Sequence, residues 1–373
     1  MLIMPEALKR ASWLELFYDL AYVALVAQLT YLVARHHGSV VEVMLGILLG
    51  YMIFVAWWGT TSTRNLQESE DTTDKLFVQL QMLIALLMSI SLPAVFEGDP
   101  ARFFFFFATL RLVQVVTMYR MYSLYPEHAP RTRNHAFGIA VAAGLWYVCA
   151  FLPFPLLFLV AFAALCIDVM TPFTTDEGKT ERRLNISHLQ ERLGLFVILV
   201  IGESMLVVAI TSTAAQLQAI EPYVILSGMV MMIALWWMYF DYLDRHKTDR
   251  RPAFFPYLHS HAALFLGIVF MAAGFRNILL DASVPVGEFV FIGGGFMICM
   301  IAMAFTRGAR YGWRPALMVP VAIAVVSIGT VTVLGAMQII TTLVAVIGLA
   351  VVASAIAVID AKYRLVKALP PRA

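Results

Sequence analysis

The sequence predicts an all-α polytopic membrane protein of about 12 transmembrane helices in two six-helix parallel repeats, with both termini cytoplasmic. Three observations predict it. Of the 373 residues 61% are hydrophobic and 13% charged, with a mean hydropathy of +0.82, too few charges to cover a soluble domain of this size. Apolar runs of about 20 residues recur along the whole chain, the length that a ~30 Å hydrocarbon core requires. Lysines and arginines also fall almost entirely on alternate loops, which sets orientation and implies an even number of spans.

The first half, 1–175, holds six of the spans. They cover 14–34, 40–59, 76–96, 102–122, 135–152 and 154–171. The first carries an acidic residue at its start. "GYMIFVAWW" forms the body of the second. The third and fourth are separated by "EGDP", and the aromatic run "RFFFFFATLR" opens the fourth, where it suits lipid-facing or interfacial packing. Between the fifth and sixth lies only "LPFPLL", whose two prolines predict a tight external turn or a broken helix.

Six more spans fill the second half, 176–373, at 192–212, 223–243, 259–279, 286–305, 315–336 and 339–359. With the N-terminus inside, the outer loops hold little beyond Arg35, Arg102 and Arg276. The inner segments hold Lys9, Arg10, Arg64, Lys75 and Arg120, then Arg131, Arg133, Lys179, Arg182, Arg183 and Arg192. Farther on come Arg245, Lys247, Arg250, Arg251, Arg307, Arg310, Arg314 and the basic tail. Only Arg111 lies in mid-span. The N-terminus lacks a short apolar core followed by a small-residue cleavage site, so the first helix is expected to anchor the protein itself.

The halves resemble each other. Trp57–Trp58 of the second span correspond to Trp236–Trp237 of the eighth, and Asp168 in "CIDVMTP" to Asp360 in "VIDAKYR". Each half opens with an acidic residue, Glu15 and Glu191. Six spans per copy is an even number, so two copies share orientation about an axis along the membrane normal.

The blocks "WLELFYDLAYVALVAQL" (13–29) and "HLQERLGLFVILVIGES" (188–204) resemble the two signatures of the bacterial low temperature requirement protein A family. Trp57–Trp58 and "RLVQ" of the fourth span resemble it too, so the likeness runs through most of the chain. The resemblance implies a multi-pass protein of the inner membrane, in a family named for a cold-growth requirement.

Several polar residues inside these spans are candidates for chemistry, because intramembrane ionisable groups mark substrate and proton pathways. Glu15 and Asp19 are four apart and share one helix face. Glu15 also suits the positive end of a helix N-terminus. His188 and Glu191 share a face at i, i+3, and Arg192 follows, either in the same cluster or as an interfacial anchor. Glu203 stands about 18 Å beyond Glu191, near the midplane. Gly202 beside it invites close approach of a backbone or ligand. Arg111 falls at the same depth in an oppositely directed span and is the expected partner of Glu203, with Gln28 at comparable depth. His259 and His261 are accessory candidates. At i, i+2 they point about 200° apart, which argues against a shared metal unless the helix starts after them.

Composition narrows the function classes. A net charge of +2 gives no reason to expect nucleic-acid binding. Cys149, Cys166 and Cys299 lie in apolar runs without ligand spacing and read as small hydrophobes. Nucleotide-loop, zinc-protease, serine-hydrolase and CxxC motifs are missing from the sequence, so no cofactor is expected. The expected partners are the lipid bilayer and a small-molecule substrate. The first reading is a secondary transporter or permease, proton-coupled, with its site at Glu203 and Arg111 and with Asp19 and Glu15 on the cytoplasmic side. Two others stand beside it. One is a membrane-embedded enzyme acting on lipid or polyisoprenoid substrates, with a divalent metal held by Glu15, Asp19, His188 and Glu191. The other is a structural or sensory protein.

Overall fold

The computed structural model describes residues 10–36, 38–67, 71–124, 129–174, 184–214, 221–245, 252–280, 287–313 and 315–367. Apolar segments in a bilayer must satisfy their backbone internally, and all regular structure among these residues is accordingly helical. Twelve helices follow in order: α1 Trp13–Arg35, α2 Val40–Leu66, α3 Thr72–Phe96, α4 Ala101–Leu124, α5 Ala129–Cys149 and α6 Phe154–Thr174. The second series is α7 Ile186–Ala214, α8 Glu221–Arg245, α9 Phe254–Leu280, α10 Gly287–Tyr311, α11 Pro315–Ala336 and α12 Thr342–Lys367. Among the described residues 11 of them, all but α5, are long and apolar enough to cross a membrane. The protein is a multi-pass helical membrane protein. Many of the basic residues expected to set its orientation, among them Lys9, Lys179, Arg182, Arg183, Lys247, Arg250 and Arg251, lie outside the described residues, as does the start of the N-terminus.

Helix starts follow local chemistry. The Ser12 hydroxyl accepts the Glu15 N–H at 3.3 Å and the Glu15 carboxylate accepts the Ser12 N–H at 2.8 Å, a reciprocal cap that starts α1. Ser39 with Glu42 caps α2 in the same way, and Asp71 with Asp74 caps α3. The "LPFPLL" segment makes a tight turn: α5 stops at Cys149, and the Leu157 N–H to Pro153 carbonyl bond of 2.9 Å starts α6.

Several helices run past the expected ends. α2 continues from 59 to Leu66, α5 begins at Ala129, α7 at Ile186 and α9 at Phe254, and α10 and α12 continue to Tyr311 and Lys367. Thr60, Thr61, Thr63, Arg64 and Asn65 at the end of α2 are all buried. The hydropathy of a run reports where lipid contact stops. A helix whose polar residues face protein continues beyond that point.

The chain separates into two compact units, Met1–Gln28 with Leu48–Leu195, and Leu29–Ile47 with Phe196–Ala373. The first has an aromatic core. Trp57, Trp146, Phe103, Phe104 and Phe107 are fully buried, with Phe104 stacked on Trp146 at 5.9 Å and Phe107 edge-on to it at 5.1 Å. This corrects the lipid-facing expectation for the five-phenylalanine run. Helical periodicity divides it, and Phe105 alone among the run's large side chains is 48% exposed.

In the second unit α9 is the central element, packed on α10. A Cβ at Gly267 would stand 2.7 Å from the Gly295 carbonyl oxygen, so the two backbones touch because neither position carries a side chain. Arg307 on α10 forms a two-pronged pair with Asp360 on α12, both N–O distances 3.0 Å, and donates to the Met238 carbonyl at 3.1 Å. Cys149 and Cys299 are free and buried, and Cys166 is free and half-buried.

Candidate functional site

In the first unit the opening turns of α1 and α7 bring four ionisable side chains together with Trp57 of α2. Glu15, Asp19, His188 and Arg192 are each no more than 3% exposed. One oxygen of Asp19, Oδ1, accepts the Arg192 Nη2–H at 2.7 Å and the Trp57 indole N–H at 2.7 Å. The Arg192 guanidinium lies 5.9 Å from the centre of the Trp57 ring, a cation–π distance. The oxygen of Glu15 that caps α1 stands 3.3 Å from His188 Nε2.

Asn65 decides the state of that histidine. Its Oδ1 accepts the Asn185 N–H at 2.8 Å, and its Nδ2 donates to the Asn185 carbonyl at 3.0 Å. A backbone N–H is always a donor, so the amide cannot be reversed. The second Nδ2 hydrogen therefore points at His188 Nδ1, 3.1 Å away, which must accept it. Nδ1 is bare and Nε2 carries the proton, directed at Glu15. Asn185 also caps α7, its side-chain oxygen accepting the His188 N–H at 2.9 Å.

Some polar atoms here are left over. Glu15 Oε1, Asp19 Oδ2, and Arg192 Nε and Nη1 are buried without a hydrogen-bond partner among the described residues. Two carboxylates are thus served by one guanidinium and a neutral imidazole. That leaves one negative charge for a proton or a small cation to balance, with unspent acceptors and donors side by side. Few buried polar groups in folded proteins stay unsatisfied without a functional reason.

A second polar chain runs through the same unit. Arg111 Nη2 donates to Asp168 Oδ1 at 2.6 Å, and the other carboxylate oxygen accepts the Trp146 indole N–H at 3.0 Å. Arg111 Nη1 donates to Gln114 Oε1 at 2.6 Å, and Gln114 Nε2 donates to the Ala56 carbonyl at 2.7 Å and to Thr60 at 3.0 Å. The expected pairing of Arg111 with Glu203 is therefore corrected: Asp168 holds the arginine. Matching depths fix position along the membrane normal, whereas partner choice depends on which way each side chain turns around its helix axis. Gly59 is what lets this pair of side chains pack against α2, since a Cβ there would overlap Gln114 and lie 2.8 Å from Arg111 Nη1.

The remaining candidates are placed differently. Glu203 is buried at 7% exposure and forms no ion pair among the described residues. Gly202 beside it faces open space, with nothing within 4 Å of an added Cβ, so the expected close approach does not occur. Gln28 is half-buried and makes no hydrogen bond among the described residues. Glu191 is exposed, and its carboxylate accepts the Ala11 N–H at 3.2 Å, away from His188. His261 is enclosed, its Nδ1 donating to the Tyr257 carbonyl at 2.7 Å and its Nε2 standing 3.0 Å from the Tyr239 hydroxyl. His259 packs on Phe255 at 4.1 Å. Both histidines lie inside α9, so they diverge around it. Among the described residues no three His, Cys, Asp or Glu side chains gather as a metal-binding group.

Residues 10–358 match the family model described as Bacterial low temperature requirement A protein (LtrA). The chain belongs to the LtrA family. A curated relative, "Uncharacterized protein RA0937" of Rhizobium meliloti (strain 1021), is 24% identical over 290 residues, 71% of this chain and 68% of its own length. In this LtrA protein the two blocks that carry the family likeness are the segments that supply Glu15, Asp19, His188 and Arg192. Their supports Trp57, Asn65 and Asn185 were not foreseen as partners. The signal available for Asn65 was the polar run "TTSTRNL" directly after an apolar span.

Proposed function

We propose that this LtrA protein is a secondary transporter of the inner membrane, coupled to protons, with Asp19 as its coupling carboxylate. The observation that carries the reading is the buried charge imbalance: Glu15 and Asp19 face a single guanidinium, Arg192, and atoms of all three lack partners among the described residues. In this mechanism Asp19 alternates between holding Arg192 and holding a proton. With the proton on Asp19, the Arg192 N–H groups become available to the solute. Glu15 is the second carboxylate of the site and accepts the Nε2–H of His188.

The same reading has both termini cytoplasmic and two six-helix repeats, 1–175 and 176–373. An arginine of the fourth helix bound to an aspartate of the sixth (Arg111 with Asp168, Arg307 with Asp360) supports that duplication.

Reconstitution tests the proposal. Vesicles holding the wild-type protein and a mixed pool of small polar metabolites are given a transmembrane proton gradient, and the contents are read by mass spectrometry. At least one solute is expected to accumulate only under the gradient, and Asp19→Asn is expected to abolish that accumulation. Accumulation that ignores the gradient, or that survives the substitution, rejects Asp19 as the coupling group.

A further inference from the structure

The end of α1 opposite Glu15 belongs to the second unit and carries a charged cluster of its own. Arg35, the last residue of α1, donates from Nη1 to the Tyr31 hydroxyl at 3.2 Å. Arg276 of α9 lies over the same side chain, its guanidinium carbon 4.7 Å from the ring centre, a cation–π distance. Two guanidiniums thus converge on one tyrosine, close enough for their like charges to interact. Asn277 holds them there. Its Nδ2 donates to the Ala34 carbonyl at 2.7 Å, which ties the last turn of α1 to α9.

Among the described residues no carboxylate pairs with either arginine. Glu42, in the first turn of α2, is held by the Ser39 N–H at 3.0 Å and by His36 at 3.4 Å. Glu288, in the first turn of α10, is 3% exposed, and both its oxygens accept from Asn277, at 3.0 and 3.1 Å. The C-terminus of α1 itself offers only about half a unit of negative charge. Tyr31 accepts from Arg35, so its own O–H is left without an acceptor among the described residues, and the side chain is 38% exposed. Depth matters as well. The 23 residues of α1 extend about 35 Å, so the helix reaches past a ~30 Å hydrocarbon core into the headgroup layer. Arg276 stands one turn before the end of α9.

We propose that Arg35, Arg276 and Tyr31 form a binding site for the phosphate of an anionic phospholipid. Phosphate oxygens accept from both guanidiniums, whose planar forks match them, and from the Tyr31 O–H. A lipid whose headgroup also carries an ammonium is disfavoured, because Glu42 and Glu288 are already engaged and the arginines repel it. The site lies at the other end of α1 from Asp19 and does not depend on transport.

Native mass spectrometry of the full-length, delipidated protein tests this, with phosphatidylglycerol, phosphatidylcholine and inorganic phosphate as probes. The first phosphatidylglycerol is expected to bind about tenfold more tightly than phosphatidylcholine, a preference that Arg35→Gln with Arg276→Gln removes. Arg35 is exposed, so Arg35→Gln alone leaves the fold intact and should cut the preference to about threefold. Arg102→Gln should leave it unchanged, because that arginine is already paired with Asp99 at 3.3 Å. Equal binding of the two lipids, or a preference that survives the double substitution, overturns the site. An equal loss in Arg102→Gln would make the effect one of net charge and overturns it too. Displacement of phosphatidylglycerol by millimolar inorganic phosphate would move the site to a free anion and overturns the lipid assignment.

Discussion

Arg192 and Asp19 stand 173 positions apart in the chain and meet at 2.7 Å, inside a unit where each is 1% exposed. Breaking a buried pair by removing one partner costs about 3–5 kcal/mol, because the other charge is left uncompensated. Asp19→Asn and Arg192→Gln should each lower stability by that order. The double variant should recover a large part of the loss, a coupling readable by thermal unfolding in detergent. Additive losses would mean that the two side chains do not stabilise one another.

Asn65 presents its amide hydrogen to His188 Nδ1. Asn65→Asp replaces that donor with an acceptor and removes the hydrogen bond to the Asn185 carbonyl. His188 should then carry a proton on Nδ1, visible as a large change in its imidazole nitrogen shifts by NMR. Asn65→Ala should release the constraint without imposing the opposite one. Unchanged nitrogen shifts in Asn65→Asp would show that the amide does not set the tautomer.

Two glycines separate packing from permissiveness. Gly59→Ala forces a methyl into Gln114 and Arg111 and should cost about 1–3 kcal/mol, the range of overpacked cores. Gly202→Ala meets open space within a helix and should instead stabilise by about 1 kcal/mol, the helix-propensity difference between the two residues. Parallel unfolding measurements on the pair check both signs at once.

Asp71 supplies the pH dependence. The Asp74 backbone N–H foremost holds its carboxyl below the ordinary aspartate range; desolvation opposes it, and the Arg120 guanidinium adds to the lowering. A carboxylate depressed in the folded state stabilises above its unfolded value, about 3.9, and loses that contribution as pH falls through the depressed one. The cap of α3 should therefore persist from neutral pH down to about 4 and loosen only below it. Carbon-13 titration of labelled aspartate measures this. Arg120→Gln should move the Asp71 midpoint back up toward the ordinary range.

The spans were legible because the bilayer imposes one length on every crossing segment, so run length alone located all twelve helices to within several residues. What hydropathy misread was polar residues facing protein, which is why the buried turn Thr60–Asn65 and the first turn of α7 extend past the expected ends. Helical spacing put Glu15 with Asp19; it also put His188 with Glu191, but Glu191 turns away and Arg192 joins His188 in the site instead. The meeting of Glu15 and Asp19 with His188 and Arg192, and the choice of Asp168 by Arg111, depended on helix rotation, which depth along the membrane normal does not report. For the five-phenylalanine run the composition was clear and the division between faces was not.

The Asn65 amide has a consequence for how the protein is made. Its partners at Asn185 lie 120 residues downstream. At about 5–20 residues per second, a ribosome needs roughly 6–24 s to synthesise that interval. Throughout it the polar end of α2 has no native partner from α7, and Arg64 and Asn65 are poor company for lipid. The hydrogen bonds of the Asn65 amide are therefore completed only after the start of α7 has been synthesised, so the end of α2 is the part of that helix that settles late.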